Sequence, residues 1–186
     1  MHGNPTVTAL VRRLYLESVT ELFAAYGFSA QADDDGAVRS GIHRASYISV
    51  LSLTAPGLRL ACTIDLDAEL LARLHPARSH ADQAPPLASD LEDWSRELNN
   101  QLGGRLKNKL LARGFDLMLG LPSLLAGVDI SAIPQADMDV MRAAYVARGR
   151  RIIVTLASQL APDITLADML PSDADDILRE GEIALF

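Results

Sequence analysis

Cysteine is nearly absent from this chain: Cys62 is the single one among 186 residues. One thiol forms no internal disulfide, so a reducing compartment is the expected setting. Basic charge is also short. The 17 Lys and Arg stand against 24 Asp and Glu, a formal net charge of −7, which argues against binding nucleic acid through a phosphate-neutralising surface. No apolar run approaches the roughly 20 residues that span a bilayer. The start, Met1-His2-Gly3-Asn4-Pro5, lacks the basic region of a signal peptide. The reading is a soluble, cytoplasmic protein with no membrane or nucleic-acid partner.

Chemistry-bearing motifs are sparse as well. No glycine-rich phosphate loop of either common type occurs. His75 and His80 lie five residues apart with no Cys or Glu at ligand spacing, which is poor for zinc. His43 reads as a sheet residue. Asp33-Asp34-Asp35 lacks the remainder of a calcium loop and reads as a turn. Cys62 sits between Ala61 and Thr63 in a predicted strand, a setting for a core thiol rather than a nucleophile. No metal ligands and no cofactor of its own are expected.

What is present suits a folded domain. Hydrophobic residues make up 49% and charged residues 22% of the chain, enough for one domain over residues 1–186 with a real core. Val7, Leu10, Val11, Leu14, Val19, Leu22 and Phe23 predict a helix over 6–26. Residues 47–53 and 58–64, joined through Ala55-Pro56-Gly57, predict a hairpin. A short helix is expected at 67–74, then an exposed proline-bearing connection to residue 88. A long helix over 89–113 follows, with Leu91, Trp94, Leu98, Leu102, Leu106 and Leu110 as its buried stripe. At 1.5 Å per residue it is about 37 Å long, enough to cross a sheet. A strand at 116–121 stops before Pro122, and 138–147 with 151–157 predict a second hairpin. An acidic tail occupies 163–186.

Ala25-Tyr26-Gly27-Phe28 and Ala112-Arg113-Gly114-Phe115 end the two long helices alike, and each is followed by strand-like sequence and a hairpin. Two such units, about 6–66 and 89–160, predict a pseudo-symmetric α+β domain. Its mainly antiparallel sheet has about six strands, with two long helices packed on it.

The outer side of the long helix carries Asp93, Glu97 and Asn100, followed by Gly103 and Gly104. Glu97 and Asn100 are three residues apart, so a helix sets their Cβ atoms about 5–6 Å apart on one ridge. Asn99 is about 200° round the helix from Glu97 and does not share that ridge. The glycine pair leaves space beside the amide for another molecule. Spacing alone also fits a solvated helix face.

Asp93, Glu97 and Asn100, with Pro122 following 21 intervening residues later, resemble the helix motif of the CheC/CheX group of chemotaxis phosphatases. The gap to the proline is one residue shorter than the family's pattern, and the Glu–Asn spacing is unaffected. The glycine pair, the Gly114-Phe115-Asp116 helix exit and the helix–sheet layout agree. A single motif copy is more similar to CheX than to CheC.

This resemblance implies hydrolysis of the aspartyl phosphate on a CheY-type receiver domain. Asn100 then orients the attacking water, and Glu97 pairs with a lysine beside the phosphoryl group. Magnesium belongs to the receiver. An acyl phosphate is already reactive, so positioning water in line supplies most of what a catalyst can add. Asn has both a donor and an acceptor and no strong basicity; such help is worth about two to four orders of magnitude in rate. A homodimer is a further implication. Arg105, Lys107, Lys109 and Arg113 either complement the helix C-terminus or steer an acidic partner. The competing readings are a non-enzymatic module binding a regulator or flagellar-switch-like partner, and a sensor with a ligand between the sheet and the connection.

Overall fold

Two helix exits organise the fold. The first helix, α1 (Pro5–Ala25), buries Val7, Val11, Leu14, Val19, Leu22 and Phe23. It ends where the Gly27 N–H donates to Ala24 O at 2.9 Å and the Phe28 N–H to Phe23 O at 3.0 Å. The long helix α3 (Ala88–Leu111) ends the same way, with Gly114 N–H donating to Leu111 O and Phe115 N–H to Leu110 O, both at 2.9 Å. Gly27 and Gly114 have φ of 72° and 85°, the left-handed conformation this paired closure requires. Phe28 and Phe115 then turn into the core. The matching tetrapeptides are thus matching structures.

The computed structural model describes residues 5–28, 31–32, 46–76, 86–128, 130, 137–147 and 149–165. Asp33–Asp35, His43, His80 and the acidic tail from residue 166 lie outside them. The strands are β1 (Gln31–Ala32), β2 (Ser46–Ala55), β3 (Leu58–Asp67), β4 (Met118–Leu119), β5 (Ser123–Gly127), β6 (Asp139–Ala147) and β7 (Arg150–Leu160). Both expected hairpins form, β2–β3 and β6–β7; β2, β3 and β7 run a few residues longer than expected and β6 starts one residue later.

All pairings are antiparallel, and the order is β1-β6-β7-β3-β2 with β4 and β5 both on the outer side of β2. Because β4 pairs Leu53–Thr54 and β5 pairs Ser46–Val50, they share one edge, and the sheet is six strands wide. Each of the two long helices is followed by a strand that joins the hairpin of the other half: β1 lies on β6, and β4 with β5 on β2. The hairpins meet along β3–β7, where Thr63 faces Thr155. Exchanging the halves reverses the strand order and restores it, so the α+β fold is pseudo-symmetric as expected.

One expectation needs correction. The strand expected at 116–121 is only Met118–Leu119, and pairing to β2 resumes beyond Pro122 at Ser123. Proline has no N–H and interrupts the ladder, while Gly120 N–H still donates to Ser52 O at 2.8 Å. The chain loops out at Leu121-Pro122 and rejoins the same edge.

The described helices α1 and α3 pack together on one sheet face, over Leu51, Leu53, Leu58, Leu60, Cys62, Ile64, Val154 and Leu156. Tyr15 crosses this core, its hydroxyl within hydrogen-bond reach of Thr63 O (3.1 Å) and Thr155 O (3.0 Å). The short helix α2 (Ala68–Leu74) starts where Leu70 N–H donates to Asp67 Oδ1 at 2.7 Å. Arg150 ties Asp67 and Glu69 to the second hairpin.

Candidate functional site

Helix α3 begins with Leu87 N–H donating to Asp90 Oδ2 at 2.8 Å, a side chain reaching back to satisfy a free donor. Its expected stripe is buried, from Leu91 through Trp94, Leu98, Leu102 and Leu106 to Leu110. Beside the stripe runs a second buried row at spacing four, Ser95, Asn99 and Gly103. Asn99 is fully buried, and its Nδ2 donates to Cys62 O at 3.1 Å. A Cβ on Gly103 would collide with Leu51 Cδ2. This row lets the helix settle against β2 and β3, and it sets the helix's rotation.

With that rotation, Asp93, Glu97 and Asn100 are all exposed. Gly104 also lies outward, where an added Cβ would meet nothing within 4 Å. The glycine pair expected to leave space for another molecule divides: Gly103 is buried and makes room for Leu51 of the sheet, and of the two glycines Gly104 alone lies outward. Consecutive helix positions are 100° apart, so two neighbouring glycines face different surroundings.

The carboxylate of Glu97 is held. Gln101 Nε2 donates to Glu97 Oε1 at 2.9 Å, and Tyr26 Oη donates to Gln101 Oε1 at 2.7 Å. Tyr26 is set by the α1 exit, and its ring meets Trp94 edge-on, centroids 5.5 Å apart at 89°. Trp94 meets His75 similarly, at 5.7 Å and 74°. Asp93 does not join this chain; its carboxylate accepts from Arg96 Nη1 at 2.8 Å. Neither Tyr26 nor Gln101 was singled out from sequence. The four-residue spacing of Glu97 and Gln101 was available as a signal, but Tyr26 is 75 residues from Gln101.

The basic end of α3 is partly engaged. Lys109 Nζ lies 2.7 Å from Glu21 and 3.7 Å from Glu17 of α1, and Lys107 pairs with Asp116 at 3.2 Å. Cys62 is fully buried, and burial pushes its thiol up, away from the thiolate a nucleophile needs. Among the described residues no cluster of His, Cys, Asp and Glu could hold a metal ion, and no helix is long and apolar enough to cross a membrane. A surface groove of about 650 Å³ on α1 is lined by Arg12, Arg13, Leu16, Glu17 and Thr20. Glu97 and Asn100 take no part in it; they stand on a ridge, suited to entering another molecule's site.

No family model matches the chain, and comparison with curated proteins by sequence finds no match. Solved structures do match. The chemotaxis protein CheX from Vibrio vulnificus aligns at a TM-score of 0.66 and 14% identity, over 80% of this chain and 96% of that one. CheX in a CheX–CheY–BeF3–Mg complex from Borrelia burgdorferi aligns at 0.56 and 12%, over 79% and 96%. FliY from Thermotoga maritima aligns at 0.52 and 14%, over 97% of both chains. The chain has the fold of the CheX and CheC-like chemotaxis proteins, in agreement with the resemblance carried by its helix motif.

Proposed function

We propose that this protein is a CheX-like phosphatase that accelerates hydrolysis of the aspartyl phosphate on a CheY-type receiver domain. The observation that carries the reading is the division of labour between two adjacent amides. Asn99 is consumed in the core by Cys62 O, while Asn100 stands exposed on the ridge with Glu97. The likeness to a CheX solved together with CheY adds support.

Insertion of the ridge brings the Asn100 amide to the phosphoryl group. There its oxygen accepts from a water and its nitrogen donates to an oxygen, holding the water in line with the phosphorus. Glu97 pairs with the receiver's lysine and sets the register. Gly104, one turn beyond Asn100, lets the receiver approach. The magnesium that neutralises the phosphoryl oxygens is the receiver's own, and the setting is the cytoplasm, where such regulators work.

The test follows phosphate loss from a receiver domain charged with acetyl phosphate, with and without this protein. Faster loss that disappears in Asn100→Ala, with the melting temperature unchanged, supports the reading. An Asn100→Ala protein that still accelerates loss contradicts it. A non-enzymatic binding module is the second reading; binding of the receiver without faster phosphate loss would establish it. The homodimer remains a proposal for the β4–β5 edge, where Met118, Leu121, Leu125 and Val128 are exposed. Sedimentation of the wild type beside Leu125→Lys tests that edge.

A further inference from the structure

We infer that Gln101, oriented by Tyr26, is a positioning residue that holds the Glu97 carboxylate ready for the receiver; the inference rests on the phosphatase reading above. A free glutamate on a helix surface samples several rotamers, and docking through it must first select one. Here the selection is made before the partner arrives. Gln101 lies one turn after Glu97 on the same face, and its Nε2 donates to Glu97 Oε1 at 2.9 Å.

The orientation of the Gln101 amide is determined by its two neighbours together. A carboxylate only accepts, so it must face the amide nitrogen. That leaves the amide oxygen for the other side, where Tyr26 Oη donates to it at 2.7 Å. Reversing the amide would set its oxygen against the carboxylate. A tyrosine hydroxyl can donate or accept, and the charge on Glu97 selects the donating role.

Tyr26 is itself immobilised. It lies in the exit turn of α1, where its N–H donates to Phe23 O at 3.1 Å, and its ring is braced edge-on against Trp94. Trp94 belongs to α3, one turn before Glu97. The α1 exit and α3 thus meet through an aromatic contact and a hydrogen-bond chain that ends on the docking carboxylate. On ideal helix geometry Gln101 flanks Glu97 about 40° to one side and Asn100 about 60° to the other. The positioning amide therefore leaves the Asn100 amide open to water.

The experiment measures receiver dephosphorylation against receiver concentration for the full chain, Gln101→Met and Tyr26→Phe. Methionine keeps the length and helix preference of glutamine and removes the amide; phenylalanine keeps the ring on Trp94 and removes the hydroxyl. The expected result is a KM raised about threefold to tenfold in Gln101→Met, the scale of one lost hydrogen bond to a charged group at a solvated site. Tyr26→Phe is expected to show a smaller rise, and kcat stays within about twofold in both, because Asn100 is untouched. In a Glu97→Ala background the Gln101→Met change has no further effect on KM. A wild-type chain that fails to shorten the phosphoryl lifetime sinks the phosphatase reading and this inference with it. A wild-type chain that does shorten it, with Gln101→Met at wild-type KM or additive with Glu97→Ala, overturns the positioning role alone.

Discussion

The Asn99 side-chain amide donates to the backbone carbonyl of Cys62 at 3.1 Å, joining the sheet-facing row of α3 to the middle of β3. Helix rotation and the exposure of Asn100 are thereby one structural fact. Turning the helix to bring Asn99 outward would break this bond and drive Asn100 into the core.

Asn99→Ala and Asn100→Ala should therefore separate stability from activity. Losing the Asn99 bond to Cys62 O should cost about 0.5–1.5 kcal/mol, read as a lower midpoint in urea. Asn100→Ala should leave that midpoint in place while receiver dephosphorylation falls to the receiver's own rate. Equal midpoints for the two variants would refute the assignment of faces.

Gly103→Ala and Gly104→Ala should move stability in opposite directions. Alanine is favoured over glycine inside a helix by about 1 kcal/mol, and at Gly104 nothing opposes that gain. At Gly103 the methyl meets fully buried Leu51, and overpacking of about 1–3 kcal/mol outweighs the gain. Thermal melts of the two single variants decide it; a stabilised Gly103→Ala protein would show that β2 yields.

Stability should fall as pH rises above about 9. Burial raises the Cys62 thiol above its ordinary value of 9.0, and burial followed by the nearby Cys62 and Tyr145 raises the Tyr15 hydroxyl above 10.0. The unfolded chain ionises at the ordinary values while the folded chain stays protonated. The folded state then binds more protons, and unfolding becomes easier as pH rises. The slope reaches at most about 1.4 kcal/mol per pH unit for each such group. Urea midpoints between pH 7 and 11 measure it, and a flat profile would contradict the burial of both groups.

Tyr15→Phe should remove part of that alkaline slope above pH 10. It should also cost about 0.5–1.5 kcal/mol at neutral pH, because its hydroxyl lies against the carbonyls of Thr63 and Thr155 at the junction of the two hairpins. Dephosphorylation is expected to be unchanged, since Tyr15 is buried far from solvent. A neutral-pH midpoint equal to the wild type would mean that the hydroxyl contributes nothing net.

Much of this molecule was legible in its sequence, because the deciding physics was local. Apolar spacing of three and four marks α1 and α3, alternation marks the first hairpin, the turn residues Arg148-Gly149 mark the second, and the left-handed glycines Gly27 and Gly114 mark two equivalent helix exits. The three-residue step from Glu97 to Asn100 places them on one ridge in any helix. Tertiary contacts decided the rest. Pro122 interrupts a ladder without ending it because β2 offers ten residues of edge for the chain to rejoin. Gly103 and Gly104 part company because only one meets Leu51. Gln101 gains its meaning from Tyr26, a partner 75 residues away that no local pattern could reveal. Local spacing determined which side chains share the ridge, and long-range packing determined how firmly its carboxylate is held.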